Sequence, residues 1–299
     1  MTYLVGYGPH NNDQSAIELA CQLARTLPEP IVAVSVMPRA WGTPAVGDTD
    51  REFERWIVEE GEAASAAALE DFARHAEVSE TDAVWVSGRS VPQTLLEQSE
   101  QRVASMLVVG SSGDADPGRI RLSSKTDRLV HSSTVPVAIA PRGYRTTSPV
   151  TRITVGFRDD DASWSLLTLV GTLARDAGVS LRVVTFLVTP SRRPVTSSVS
   201  HAETQVIELW TQQAQRAQAE ARAELEAKGF TDDSLEVLLT GGADWNAAIS
   251  SIDWCDGDLL ALGSSATHRL AHVFLGSSAS KIVRNSPVPV VVVPGQAAQ

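Results

Sequence analysis

The chain is expected to fold as two tandem α/β domains, each a parallel β-sheet covered by helices on both faces. Three observations predict this. Short apolar runs of strand length alternate with longer amphipathic segments of helical period, as in sheets built from strand–helix–strand crossovers. The stretch from Asp258 to Pro294 sets strand, glycine loop, helix and strand in succession, and Ser105 to Pro141 repeats that order. Finally, the correspondence holds along the chain. Gly110-Ser111-Ser112 matches Gly263-Ser264-Ser265 and Val135-Pro136-Val137 matches Val288-Pro289-Val290, both at an offset of 153. Leu4-Val5-Gly6-Tyr7 answers Thr154-Val155-Gly156-Phe157 at an offset of 150. Copies of roughly 145 residues have an ordinary domain size. The expected domains are residues 1–145 and 150–299, with Gly143 to Pro149 as the boundary.

In the first repeat, Thr2 to Tyr7 reads as a strand running into a Gly8-Pro9 turn. Ser15 to Arg25 places Ile17, Cys21 and Ala24 on one helical face, widened by Ala20 and Leu23. Ile31 to Val36 is the next strand, Pro38 to Gly47 a loop, and Phe53 to His75 a long Ala-rich helix. The strand Ala83 to Ser87 and the helix Val91 to Gln101 follow. The strand Met106 to Val109, a helix over Lys125 to Val130 and the strand Val137 to Ala140 complete the copy.

The second repeat gives strands at Arg152 to Phe157, Leu181 to Val188, Leu235 to Leu239, Leu259 to Leu262 and Val290 to Val293. Helices are expected over Trp164 to Asp176, Glu203 to Lys228 and Trp245 to Ile252, with a short one around Ile282 and Val283. Pro190 to Ser200, which carries Arg192-Arg193-Pro194, reads as a loop. Pro287 and Pro289 stop the last helix and lead into the last strand.

Composition narrows the function classes. The formal net charge of −11 argues against a broad nucleic-acid or anionic-membrane surface. Cys21 and Cys255, one per repeat at unrelated positions, do not make a disulfide framework or a metal cluster. His268 and His272 stand four apart, as zinc ligands on a helix can, but no third ligand accompanies them, so no metal residue is assigned. No apolar run reaches membrane-spanning length and no signal-peptide pattern opens the sequence, so the expected location is cytoplasmic. Neither a G-x-S-x-G elbow nor a P-loop lysine is found, and no catalytic residue is assigned.

The glycine loops point to phosphate. Glycine leaves room for a ligand at the backbone, serine offers a hydroxyl, and a helix start offers free N–H groups with positive partial charge. Candidate ligand residues are Gly263, Ser264, Ser265, Arg269, Gly276, Ser277 and Ser278 in the second repeat, and Gly110, Gly113 and Ser124 in the first. Capping of the loop backbone by Ser264 and Ser265 is the competing structural reading.

Two tandem repeats that each close with a strand, a G-S-S loop, a short helix and a V-P-V strand resemble the universal stress protein family over nearly the whole chain. The resemblance implies five-stranded parallel α/β sandwich domains of the adenine nucleotide α-hydrolase-like, Rossmann-like kind. It also implies ATP as the cofactor, held through a G-x2-G-x9-G-[S/T] loop. That pattern places Gly263, Ala266, Gly276 and Ser277 in the second repeat and Gly110, Gly113, Ser123 and Ser124 in the first. Each copy lacks a different glycine. The family's nucleotide-binding branch ends its first strand with Asp, where Gly8 and Arg158 stand here, and a usual Val near the end of its second strand matches Val36 and Phe186. Asp114 and Asp116 repel phosphate in the first loop, offset in part by Arg119 and Arg121.

The expected function is therefore a stress-response regulator binding ATP or a related adenine nucleotide mainly in the second repeat. Two readings of other classes stay open: a nucleotide-free interaction protein with degenerate pockets, and a slow ATP hydrolase. No nucleic-acid or membrane partner is expected. The last strands, Val137 to Ala140 and Val290 to Val293, are expected at sheet edges, where apolar strands need a partner. Single-repeat relatives commonly dimerise through that strand, so the resemblance implies intramolecular pairing of the two repeats, with a homodimer as a further option.

Overall fold

The computed structural model describes residues 1–8, 13–39, 49–78, 80–188, 197–264 and 275–295, and the side chains within these except at 49–50 and 197–203. Two compact units divide between Pro149 and Val150.

In the first unit β1 (Thr2–Tyr7), α1 (Ser15–Thr26), β2 (Ile31–Pro38), α2 (Thr49–Phe72), β3 (Thr81–Gly88), α3 (Val91–Gln101), β4 (Ala104–Gly110), α4 (Ser124–Ser132) and β5 (Val137–Ala140) follow one another. The strands lie in the order β3-β2-β1-β4-β5. Each neighbouring pair is parallel, with Gly6 opposite Val34, Val5 opposite Val108 and Val109 opposite Ile139. Helices on both faces make the central strands apolar throughout, so Leu4, Val5, Leu107 and Val108 are fully buried. The chain winds outward from β1 through β2 to β3, then returns to the other side of β1 with β4. The carboxyl ends of β1 and β4 thus flank a topological switch point, where sheets of this kind form a crevice.

Small residues let the long helix approach this sheet. A Cβ on Gly61 of α2 would stand 2.4 Å from the ring of Trp85 on β3, so the indole lies directly on the helix backbone. Ala64 and Ala68 are fully buried further along the same helix.

The second unit repeats the plan with β6 (Arg152–Gly156), α5 (Asp161–Ala177), β7 (Ser180–Val188), α6 (Ser197–Ala227), β8 (Leu235–Gly242), α7 (Trp245–Ser250), β9 (Asp258–Gly263), α8 (Ser277–Asn285) and β10 (Val290–Val293). Its strand order is β10-β9-β6-β7-β8, again with parallel neighbours. Val155, Leu167, Val170, Leu181, Val183, Ala221 and Leu225 form its core. In each unit the proline before the last strand is outside the ladder proper, yet its carbonyl serves it. Pro136 accepts from Leu107 N–H and Pro289 from Leu260 N–H, both at 2.9 Å.

Among the element boundaries that differ from the sequence expectation are those of three helices. Helix α5 starts at Asp161 rather than Trp164, because the Asp160 carboxylate caps it by accepting from Ser163 N–H at 2.8 Å. Helix α6 starts at Ser197, so residues 197–200 are helical where a loop was expected; Arg192-Arg193-Pro194 lies outside the described residues. Helix α2 stops at Phe72, and His75 instead closes a turn and meets Glu18 and Glu77. Among the described residues no helix is long and apolar enough to cross a membrane.

Candidate ligand-binding site

At the carboxyl ends of β1, β2 and β4 the first unit encloses a cavity of about 610 Å³. One wall is apolar and comes from β2 and its neighbours: Val34, Val36, Met37, Pro38 and Ile17. The loop after β4 and the start of α4 contribute Ser111, Ser112, Gly113, Ser123, Ser124 and Lys125, beside the apolar Val91, Leu95, Val109 and Leu129 of α3, β4 and α4. Tyr7 and Gly8 form the floor, and Trp56, stacked on Phe53 at 5.7 Å, stands at one side with Glu60. Gly110, Gly113 and Ser124, the three first-repeat candidates, thus meet at one cavity.

The loop's own hydrogen bonds show which groups remain for a ligand. Ser111 Oγ accepts from Arg121 N–H at 2.8 Å, and Ser112 N–H donates to the Arg121 carbonyl at 2.9 Å, so residues 111 and 112 are laced to residue 121. Arg121 Nη1 meets Asp114 Oδ2 at 3.0 Å. A hydrogen bond from Ser112 and this guanidinium hold the Asp114 carboxyl below the usual carboxylate range. Ser123, at the position where the family pattern has glycine, caps α4: its Oγ accepts from Thr126 N–H at 3.1 Å. The substitution therefore uses one of the free amides that a phosphate would otherwise meet. Gly110 and Gly113 are different. Neither has a left-handed φ, and a Cβ on either would touch nothing within 4 Å. The fold does not require glycine at these positions; the empty space beside them belongs to the cavity.

In the second unit the candidates divide. Ser264 is fully buried and engaged: its Oγ donates to the Val293 carbonyl at 3.1 Å and accepts from Gly295 N–H at 3.0 Å. It ties the end of β9 to the end of β10. A Cβ on Gly263 would make only ordinary contact, with Leu166 and the Ala162 carbonyl. Gly276 is the N-cap of α8 without a side-chain cap, and Ser277 and Ser278 are exposed in the first turn. Ser265 and Arg269, together with Ala266, His268 and His272, lie outside the described residues.

Gly6 faces Val34 and Gly156 faces Val184, so Val36 and Phe186 hold equivalent positions two residues further on. Val36 lines the first cavity, whereas the Phe186 ring lies 6.0 Å from that of Trp245. Arg158, equivalent to Gly8, turns to Asp160 at 2.6 Å. Burial works to raise the Asp160 carboxyl, but hydrogen bonds from Ser163 and Arg158 outweigh it and hold it low. Asp159 accepts from Trp164 Nε1 at 3.0 Å.

Tyr7 and Asp13 are among the groups at the first site that are absent from the sequence candidates. Tyr7 donates to Asp71 Oδ2 at 3.1 Å, and burial, reinforced by Asp71, pushes the Tyr7 hydroxyl up to about 12. Asp13 lines the cavity, and its Oδ1 accepts from Ser15 N–H at 3.0 Å ahead of α1. A carboxylate just before an apolar-periodic helix is a recognisable sequence signal for helix capping.

Comparison with known proteins agrees with the fold and the repeat. The model of the Universal stress protein family matches residues 1–141 and again 149–294. Universal stress proteins of Mycobacterium bovis and Mycobacterium tuberculosis are each 36% identical over 296 residues, covering 99% of this chain and 100% of the relative. A solved universal stress protein from Archaeoglobus fulgidus superposes with a TM-score of 0.63 at 15% identity, covering 98% of this chain and 96% of its own, which speaks to the fold alone. The chain belongs to the universal stress protein family, with two tandem copies of the family's domain.

Proposed function

We propose that this universal stress protein is a regulator that responds to an adenine nucleotide held in the cavity of the first unit. One observation carries the reading: a cavity of about 610 Å³ at the switch point of β1 and β4 joins aliphatic side chains of β2 to the polar loop and helix start that carry Gly110, Gly113 and Ser124. A base fits against Val36, Met37 and Pro38, and phosphate fits at the start of α4 near Lys125, the cation of the described lining. The second loop keeps the fuller Gly276-Ser277-Ser278 start, but Phe186, 6.0 Å from the Trp245 ring, stands where Val36 lines the first cavity. For that reason the first unit takes precedence. A regulatory rather than hydrolytic role accords with a lining in which, among the described residues, no nucleophile and general base are paired.

Calorimetric titration of the full chain with AMP and with ATP tests the reading. Binding at one site, weakened at least ~10-fold by Gly113→Asp and unaffected by Gly276→Asp, is the expected result. Absence of heat for both nucleotides overturns it. Sensitivity to Gly276→Asp alone moves the ligand to the second unit.

A further inference from the structure

Among the described residues, Trp56 is the one large hydrophobic side chain of the first cavity's lining that stays exposed, at 44%. Its lining neighbours Ile17, Met37, Leu95 and Leu129 are all buried. A single exposed apolar residue on open surface is ordinary. This one is held in place at a cavity. On α2, Ile57 turns inward and packs in a cluster with Met37 and Ala64, and Phe53 packs against that cluster. Residues three apart meet on a helix surface, and the Phe53 and Trp56 rings stack with centroids 5.7 Å apart and planes only 23° apart. Phe53 thus anchors the indole from one side, while surface left over borders the cavity together with Met37 and Pro38 at the end of β2. Such a ring gains most from a flat aromatic partner, which covers it without asking for a charge or a matched hydrogen bond.

We propose that Trp56 is the specificity-determining residue of this site: its indole stacks on the ligand's base and makes the cavity choose purine over pyrimidine nucleotides. The inference rests on the nucleotide reading above and deepens it. Dispersion contacts grow with the number of atom pairs in touch, so a fused two-ring base overlaps an indole better than a single ring does. The aliphatic Val34, Val36, Met37 and Pro38 of β2 add apolar contact without reading a base edge by their side chains, which leaves ring size and stacking to decide. A purely structural Trp56, packed on Phe53 to cover α2, predicts no such choice.

The test titrates the full chain with AMP and UMP as wild type, Trp56→Ala and Trp56→Phe, by calorimetry and by tryptophan emission. The thermal midpoint of each variant checks folding. UMP is expected to bind wild type at least ~3-fold more weakly than AMP, and Trp56→Ala to weaken AMP at least ~5-fold and UMP by less. Trp56→Phe, which keeps an aromatic face, recovers part of the AMP loss. AMP quenches the emission of wild type, and that quench disappears in Trp56→Phe although the other tryptophans remain. Unchanged AMP affinity in Trp56→Ala, with Gly113→Asp still weakening it, overturns the role of Trp56 and leaves a nucleotide site in place. Equal fractional losses for AMP and UMP, or no recovery in Trp56→Phe, overturn stacking in favour of a structural role. UMP as tight as AMP in wild type overturns the purine choice. No binding of either probe overturns the underlying reading and this inference together.

Discussion

The two units share a plan and place their polar groups at opposite ends of it. In the first, the carboxyl edge of the sheet is open: Gly8, Val36 and an empty margin beside Gly110 and Gly113 leave a cavity. In the second, the equivalent positions carry Arg158 and Phe186, each engaged with a neighbour of its own unit. Its most buried charges gather at the amino edge instead. Arg152 grips Asp258 with two bonds, of 2.8 and 2.6 Å, and Arg182 stands 3.8 Å from the same carboxylate while donating to Glu236 at 2.5 Å. Asp258 and Arg182 are 1% and 2% exposed. A duplicated domain has thus diverged at both ends: one copy has room at the carboxyl edge of its sheet, and the other has a charge network beneath its strands. The lesson is that loop motifs shared by two copies do not make two equal sites.

Breaking the amino-edge network has the largest expected effect. Asp258→Ala leaves Arg182 buried and Arg152 without its carboxylate, which costs about 3–5 kcal/mol. Denaturant unfolding of wild type and variant measures it, and a loss below ~1 kcal/mol means that water reaches the pair. Exchanging the equivalent side chains sharpens the contrast at the other edge. Val36→Phe puts the second unit's aromatic group into the first cavity and is expected to weaken AMP binding at least ~10-fold, with stability changed by no more than ~1–3 kcal/mol. Unchanged affinity in that variant shows that the base does not lie on β2.

A subtler exchange concerns the helix starts. Ser123→Gly gives α4 the uncapped entrance that Gly276 gives α8, frees the Thr126 amide and costs only a few tenths of a kcal/mol, so ~0.3 kcal/mol in an unfolding curve. Affinity for phosphorylated ligands is expected to rise by several-fold, most for the longest tail; a fall shows that the Ser123 hydroxyl itself meets the ligand. The cysteines provide the mildest comparison, one in each unit. Cys21 is fully buried, and burial pushes its thiol up to about 12, whereas Cys255 is exposed. At pH 8 a thiol reagent is expected to modify Cys255 promptly and Cys21 only after denaturant is added. Since the folded thiol titrates above the ordinary thiol value of 9.0, Cys21 favours the native state below that pH. That preference is lost as pH climbs from about 9 towards about 12. Prompt modification of both thiols at pH 8 shows that α1 opens.

Much of this architecture was legible in residues alone, for a physical reason. Sheets covered on both faces need uninterrupted apolar strands, and Val32 to Val34 and Leu259 to Leu262 announce themselves. Candidate ligand residues were harder, because a serine or glycine is identified by what surrounds it. Ser264 resembles a phosphate contact in sequence, but its partners Val293 and Gly295 lie 29 and 31 residues away. Ser123 reads as a lost glycine and is a working cap. Asp13 reads as a helix start, and only an account of every buried oxygen distinguishes its bonded Oδ1 from its unpartnered Oδ2. The early start of α6 was hidden because Ser197-Ser198-Val199-Ser200 has weak helix propensity.

The central place of β1 has a consequence for how the protein is made. Thr2 pairs with Ala104, so β1 waits 102 residues for one of its two neighbours. At synthesis rates of ~5–20 residues per second that interval is roughly 5–20 s, long compared with the ~0.1–100 μs of chain collapse. Throughout it, β1, β2 and β3 can pair while the free side of β1 offers unmatched N–H and C=O groups beside some of the most apolar residues in the chain. The nascent chain therefore carries an adhesive edge at the centre of its future sheet, and the arrival of β4 closes it.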